Sequence, residues 1–128
     1  MIVVLRVSGV SVDLEACMQW IPANLLDTSW RVGERRGRRV AKTNGFTLLL
    51  SERGGTGALA EHATAALSEV ADCLRKLVEA GASVEVDIGI FVESRASQSI
   101  RVSRDTMSLL LRCGASLVVS AYPCSEDG

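Results

Sequence analysis

Residues 84 to 92 alternate between apolar and other side chains, and this alternation constrains the fold more than any other feature of the chain. A period of two is the signature of a β-strand that buries one face. The opposite positions include Glu85, Asp87 and Phe91, so the second face of the sheet is expected to meet water. The apolar positions are Val84, Val86, Ile88, Ile90 and Val92.

Three shorter segments alternate in the same way, at residues 2 to 8, 46 to 51 and 117 to 121. Helical spacing of apolar residues follows Asp13, which is a candidate N-cap, and this helix must stop before Pro22. The longest amphipathic stretch covers residues 58 to 80 and ends at Gly81. A third helix is predicted between Ser103 and Gly114.

The order of these elements predicts an α+β two-layer sandwich with a mainly antiparallel sheet. The first six elements fit a ferredoxin-like β-α-β-β-α-β core, which is followed by an extra C-terminal helix and strand. Residues 22 to 45 are rich in arginine, glycine and other residues that break helices and strands, and they are predicted to form a long loop with one short strand around Thr28 to Val32. We expect one domain over residues 1 to 124 and a polar tail over 125 to 128.

Length and composition support a single globular domain. The chain has 128 residues, of which 48% are hydrophobic and 23% charged. Its apolar runs are far shorter than the roughly 20 residues that cross a bilayer. The first residues lack the basic and apolar regions of a secretory signal, so we expect a cytoplasmic protein without a membrane partner.

Charge is concentrated in one segment. Residues 31 to 42 hold six basic residues and one acid, whereas the whole chain has a net charge of −1. Guanidinium groups bind phosphates and carboxylates bidentately, which predicts a site for an acidic protein or a phosphate-bearing partner. A solvated loop is the alternative. Trp30 is expected to be buried as the anchor of this segment. The predicted site comprises Trp30, Arg31, Arg35, Arg36, Arg38, Arg39 and Lys42.

A resemblance to a known family rests on the opening strand that ends at Gly9, on Ile21-Pro22, and above all on Trp30, Arg31, Gly33 and Glu34. These features resemble the bacterial family called domain of unknown function 4279, and the match covers nearly the whole chain. Where that family usually has tryptophan at the next strand, this chain has Phe46. The resemblance implies the fold but no activity.

Several candidate catalytic groups have simpler structural interpretations. Cys73 and His62 share one flank of the long helix but are on the order of 16 Å apart along it, beyond direct proton transfer. Residues 54 to 57 precede a helix but lack the lysine of a P-loop, so they are interpreted as a turn. No metal or cofactor is predicted, because the chain has one histidine and its four cysteines are widely spaced. The cysteines are Cys17, Cys73, Cys113 and Cys124.

The preferred function is therefore a non-catalytic binding or protein-interaction domain. The alternative is a small enzyme that uses Glu85 and Asp87, since paired carboxylates can perform acid-base chemistry. An immunity-like role is a third hypothesis, by analogy with other small bacterial domains. The mixed polarity of the open sheet face predicts a homodimer. Its interface residues would be Arg6, Leu49, Glu85, Asp87, Phe91 and Tyr122.

Overall fold

The computed structural model describes residues 2–51, 61–92 and 102–123. Within these ranges the chain forms seven strands and three helices. In chain order they are β1 (Ile2–Gly9), α1 (Leu14–Met18), β2 (Leu26–Trp30), β3 (Arg35–Arg36), β4 (Arg39–Val40), β5 (Asn44–Leu49), α2 (Glu61–Glu79), β6 (Ser83–Val92), α3 (Arg104–Cys113) and β7 (Ser116–Pro123).

The main sheet has five strands in the order β2-β5-β1-β6-β7. The pairs β2–β5, β5–β1 and β1–β6 are antiparallel, and β6–β7 is parallel. The predicted α+β class with a mainly antiparallel sheet is confirmed. The ferredoxin-like core stays a prediction.

The hydrophobic core lies between one face of this sheet and the helices. Cross-strand register places Leu5 beside both Leu48 and Val86, and all three side chains are buried. Leu14 and Cys17 of α1 and Leu67 of α2 belong to the same core cluster. The alternation of the strands therefore divides the sheet into a helix-covered face and an open face.

The helix ends follow the predicted capping residues. The Asp13 carboxylate accepts a hydrogen bond from the Ala16 backbone N–H at 3.1 Å. Ser103 caps α3 in the same way through the Thr106 backbone N–H. Gly81 and Gly114 follow α2 and α3 with φ values of 101° and 74°, in the left-handed region that glycine tolerates best.

The prediction of a long loop over residues 22 to 45 is wrong in two places. The strands β3 and β4 pair as a short antiparallel ribbon whose two-residue turn is Gly37-Arg38. Gly37 has φ of +64°, which the first position of a type II′ turn requires. Asn44 and Gly45, the last two residues of the predicted loop, instead begin β5 and pair with Gly9 and Ser8 of β1. Two-residue strands have no periodicity, so the pattern of the chain could not reveal the ribbon.

Some predicted features lie outside the described residues. These are the turn at residues 54 to 57, the tail at 125 to 128, Cys124 and the side chain of His62. None of the helices that the structure describes is both long and apolar enough to cross a membrane.

Candidate functional site

Trp30 lies on the open face of the sheet, at the end of β2 and opposite Gly45 of β5. Its side chain is only 6% exposed, so the predicted burial of this residue is confirmed. The absence of a side chain at Gly45 leaves room for the indole ring against the sheet. The indole N–H donates to the Thr43 hydroxyl at 3.4 Å.

The ribbon formed by β3 and β4, which we call the basic ribbon, folds back over this tryptophan. The Arg36 guanidinium carbon lies 4.4 Å from the centroid of the Trp30 ring. At the base of the ribbon, Gly33 and Ala41 are joined by a backbone hydrogen bond of 2.8 Å. The Asn44 side chain accepts from the Val32 backbone N–H and donates to the Val12 carbonyl oxygen. These contacts fix the ribbon at its root and over the indole.

Between the basic ribbon and the open face lies a cavity of about 630 Å³, which we call the ribbon cleft. Its wall on the ribbon side includes Arg36 and Arg39. Its floor is the open face of β1, β2 and β5. The lining residues are Val4, Arg6, Asp27, Thr28, Trp30, Arg36, Arg39, Val40, Ala41 and Thr47.

The charges of the ribbon cleft are unbalanced. In the part of the chain that the structure describes, three guanidinium groups line it, from Arg6, Arg36 and Arg39, against one carboxylate, that of Asp27. Among the described residues no carboxylate lies within the 4.0 Å ion-pair distance of any of these three arginines. The cleft therefore favours an anionic occupant.

Two hydroxyl groups form the polar floor of the ribbon cleft. The Thr28 and Thr47 hydroxyl oxygens lie 2.6 Å apart, and Thr47 is 6% exposed. The Thr47 hydroxyl also accepts from the Thr28 backbone N–H at 3.1 Å and lies 3.4 Å from a carboxylate oxygen of Asp27. This network holds Asp27 at the edge of the floor.

The structure brings together only part of the predicted basic site. Trp30, Arg36 and Arg39 line the ribbon cleft, but Arg31 lies 3.8 Å from the Glu15 carboxylate of α1. The remaining predicted members are exposed and do not line it: Arg35, Arg38 and Lys42.

Sequence reasoning missed Asp27, Thr28 and Thr47, and it assigned Arg6 to a dimer interface. Alternation along β1 and β5 does place Arg6 and Thr47 on the open face, since they are paired in register. Their proximity to the ribbon depends on the order of the strands, for which the chain carries no local signal. Predicting the cleft would have required knowledge that the strands lie in the order β2-β5-β1.

The other end of the open face carries the predicted apolar interface. Phe91 and Tyr122 are paired on β6 and β7 with ring centroids 5.9 Å apart, and they are 47% and 49% exposed. Leu49 of β5 is 42% exposed. A shallow groove of about 310 Å³ lies here, lined by Ile2, Val4, Arg6, Asp87, Gly89, Phe91 and Tyr122.

The two candidate catalytic carboxylates have different surroundings. Asp87 lines this groove, and one of its carboxylate oxygens accepts a hydrogen bond from the Ser120 hydroxyl at 2.9 Å. Glu85 is half-buried on the same face, but it is not among the described residues that line the groove. Of the two carboxylates, Asp87 is thus the one that the described lining of this groove includes.

Three cysteines have described positions, and all three are free thiols. Cys17 and Cys113 are buried in the core, as small hydrophobic residues. Burial raises the pKa of the Cys113 thiol to about 11. Burial also raises the pKa of Cys17, with a smaller contribution from the neighbouring Asp13 carboxylate. Neither thiol has the depressed pKa of a reactive cysteine.

No protein-family model, no curated protein and no solved structure matches this chain. Over the described ranges, no three histidine, cysteine, aspartate or glutamate side chains are close enough together to hold a metal ion. The fold and the site together define an α+β domain with a cationic cleft at one end of its open sheet face.

Proposed function

We propose that this protein is a non-catalytic binding domain that holds a phosphate-bearing ligand in the ribbon cleft. The observation that carries the proposal is the origin of its three guanidinium groups. Arg6 comes from β1, Arg36 from β3 and Arg39 from β4, and all three line one cavity. Three arginines from separate strands can surround a phosphate from more than one side.

The volume of the ribbon cleft supports a small ligand over an acidic protein surface. Ligand pockets usually enclose about 300 to 1,000 Å³, and the ribbon cleft has about 630 Å³. An acidic protein surface would instead need a broad contact area, and the exposed Arg35, Arg38 and Lys42 could supply only its rim. The acidic-partner hypothesis is kept as an outcome of the test below.

The solvated-loop alternative has less support, because the basic ribbon is tied to the domain. Arg36 packs on the Trp30 ring, and Trp30 itself is buried. Arg36 is thus partly positioned before any ligand arrives, which reduces the entropy that binding must overcome.

The test is titration with inorganic tripolyphosphate, followed by calorimetry and by tryptophan emission. Trp20 packs edge-on against the core residue Phe46, so a Trp20→Phe background leaves Trp30 as the reporter in the cleft. We expect micromolar to millimolar binding that changes Trp30 emission and weakens with salt.

Two charge-removing variants and a matched control test the position of the ligand. Arg6→Gln and Arg39→Gln each remove a cleft charge, and we expect each to weaken tripolyphosphate binding by about tenfold, the ratio that corresponds to the loss of one charge-assisted hydrogen bond. Arg38→Gln removes the same charge from the ribbon turn, outside the cleft, and should change affinity by less than about twofold. Equal losses in all three variants would indicate unspecific attraction and contradict the proposal.

A polyglutamate peptide separates the two partner classes. Binding of this peptide with no measurable binding of tripolyphosphate would overturn the phosphate proposal in favour of an acidic protein partner. We also propose that the protein belongs to the bacterial family called domain of unknown function 4279 and that it acts in the cytoplasm. The free thiols of Cys17, Cys73 and Cys113 suit a reducing compartment.

A further inference from the structure

The main sheet ends in two very different edge strands. At one edge, the register of β2 against β5 shifts between Leu26 and Thr28, and the strand carries Asp27. A bulge and a charge are two of the devices by which proteins protect a sheet edge from pairing with another chain. The basic ribbon also lies beside this edge, since it covers Trp30.

At the other edge, β7 has neither device. Its eight residues, Ser116–Pro123, include no charged side chain and show no register shift against β6. Proline, which cannot donate a backbone hydrogen bond, occurs only at the last position. No strand among the described residues pairs with the outer side of β7. A strand of this length and composition is a template for β-sheet addition.

Both faces of β7 expose apolar side chains. Leu117 and Val119 point to the helix-covered side and are 44% and 52% exposed. Val118 and Tyr122 point to the open face and are 37% and 49% exposed. The helix α3, which connects β6 to β7, packs mainly against α2. Helix packing therefore leaves the helix side of β7 accessible.

We infer that β7 pairs antiparallel with β7 of a second copy about a two-fold axis perpendicular to the sheet. Such an axis keeps the open faces of both copies on the same side of the joined sheet. A residue of one copy then lies opposite the same residue of the second copy, or opposite another residue of the same face. In the register centred on Val119, Val119 faces Val119 of the second copy, and Leu117 faces Ala121. These apolar residues would cover one another, and the two sheets would join into one of ten strands.

Self-complementarity selects a second copy over another peptide. The two-fold axis places the uncharged, apolar residues of one β7 opposite those of the other, so pairing buries no charge without a partner. The two Phe91–Tyr122 pairs would also lie on the same side of the joined sheet, next to the new strand pair. This geometry differs from a face-to-face dimer, in which the open sides would be buried against each other.

The experiment measures dimer dissociation by analytical ultracentrifugation for the wild type and two lysine variants. Val119→Lys places lysines opposite each other at the edge, and we expect the dissociation constant to rise roughly tenfold or more. Leu49→Lys places the same charge on the open face at β5, far from the β7 edge, and should leave the dissociation constant within about twofold. Ala121→Lys serves as a second edge variant if Val119→Lys fails to fold.

Hydrogen exchange on the wild type gives an independent result. Edge pairing predicts that the outward-facing amides of β7 exchange more slowly as protein concentration rises. A monomeric wild type, a dimer that only Leu49→Lys dissociates, or a dimer that no variant dissociates would overturn the inference. If both edge and face variants dissociate the dimer, absence of concentration-dependent protection in β7 would also overturn it. These measurements need no anion, so their failure leaves the phosphate proposal unaffected.

Discussion

Gly45 and Trp30 lie opposite each other on neighbouring strands, and the indole ring occupies the space into which a side chain at position 45 would project. A Cβ atom there would overlap both the ring and the carbonyl oxygen of Val7 on β1. The tryptophan that supports the basic ribbon thus depends on a glycine of the sheet. The pair connects core packing to the proposed site.

Gly45→Ala is expected to destabilise the domain by about 1 to 3 kcal/mol, because either the ring or the β1 backbone must move. Urea unfolding measures the change. Gly89→Ala is the matched control on the same face, where the added methyl would meet the movable Tyr122 ring at 3.3 Å. Its cost should stay below about 1 kcal/mol. Equal costs at the two positions would contradict the packing argument.

Trp30→Ala is expected to lower the free energy of unfolding by about 3 to 5 kcal/mol, since it empties a buried site and removes the support of Arg36. Trp30→Phe keeps an aromatic ring over Gly45 and should lose distinctly less. Denaturant unfolding of both variants checks the order. A cost below about 0.5 kcal/mol for the alanine variant would mean that the ring does not anchor the ribbon.

Alternation predicted the faces of the sheet because it depends only on neighbouring residues. Val84, Val86 and Ile88 of β6 are buried, as their spacing indicated. The capping roles of Asp13 and Gly114 were predictable for the same reason, since a helix end is a local event.

The cleft required information that the sequence pattern does not contain. Arg6 and Arg36 are 30 residues apart in the chain, and they line one cavity only because β1 lies in the middle of the sheet and the basic ribbon folds back over it. The exposure of β7 is likewise a result of helix placement. The alternation of β7 predicts that one of its faces is buried. Leu117 and Val119 nevertheless remain accessible, because α3 packs on α2.

Asp27→Asn is expected to tighten tripolyphosphate binding about two- to fivefold, because the one carboxylate among the described residues that line the ribbon cleft then becomes neutral. The amide keeps an oxygen that can accept from the Thr47 hydroxyl, so the floor of the cleft should be preserved. Calorimetry measures the affinity. Asp105→Asn removes the same charge from the first turn of α3 and should have no effect. Unchanged or weaker binding in the Asp27 variant would place the anion elsewhere.

The stability of the domain should decrease in alkaline solution, and Cys113 should account for part of the decrease. Burial raises its pKa to about 11, an effect that Arg112 opposes and Asp72 reinforces, whereas an unfolded cysteine titrates at about 8.5. Between these values the folded state binds more protons than the unfolded state. The stabilising contribution is therefore complete below about pH 8.5 and is lost as the pH rises towards 11.

Urea unfolding at pH 7, 8.5 and 10 compares the wild type with Cys113→Ala. The variant loses the same core packing at every pH, so only the change with pH reports on the thiol. The difference in the free energy of unfolding between the two proteins should therefore shrink from pH 8.5 to pH 10. A difference that stays constant over this range would show that the Cys113 thiol titrates alike in both states.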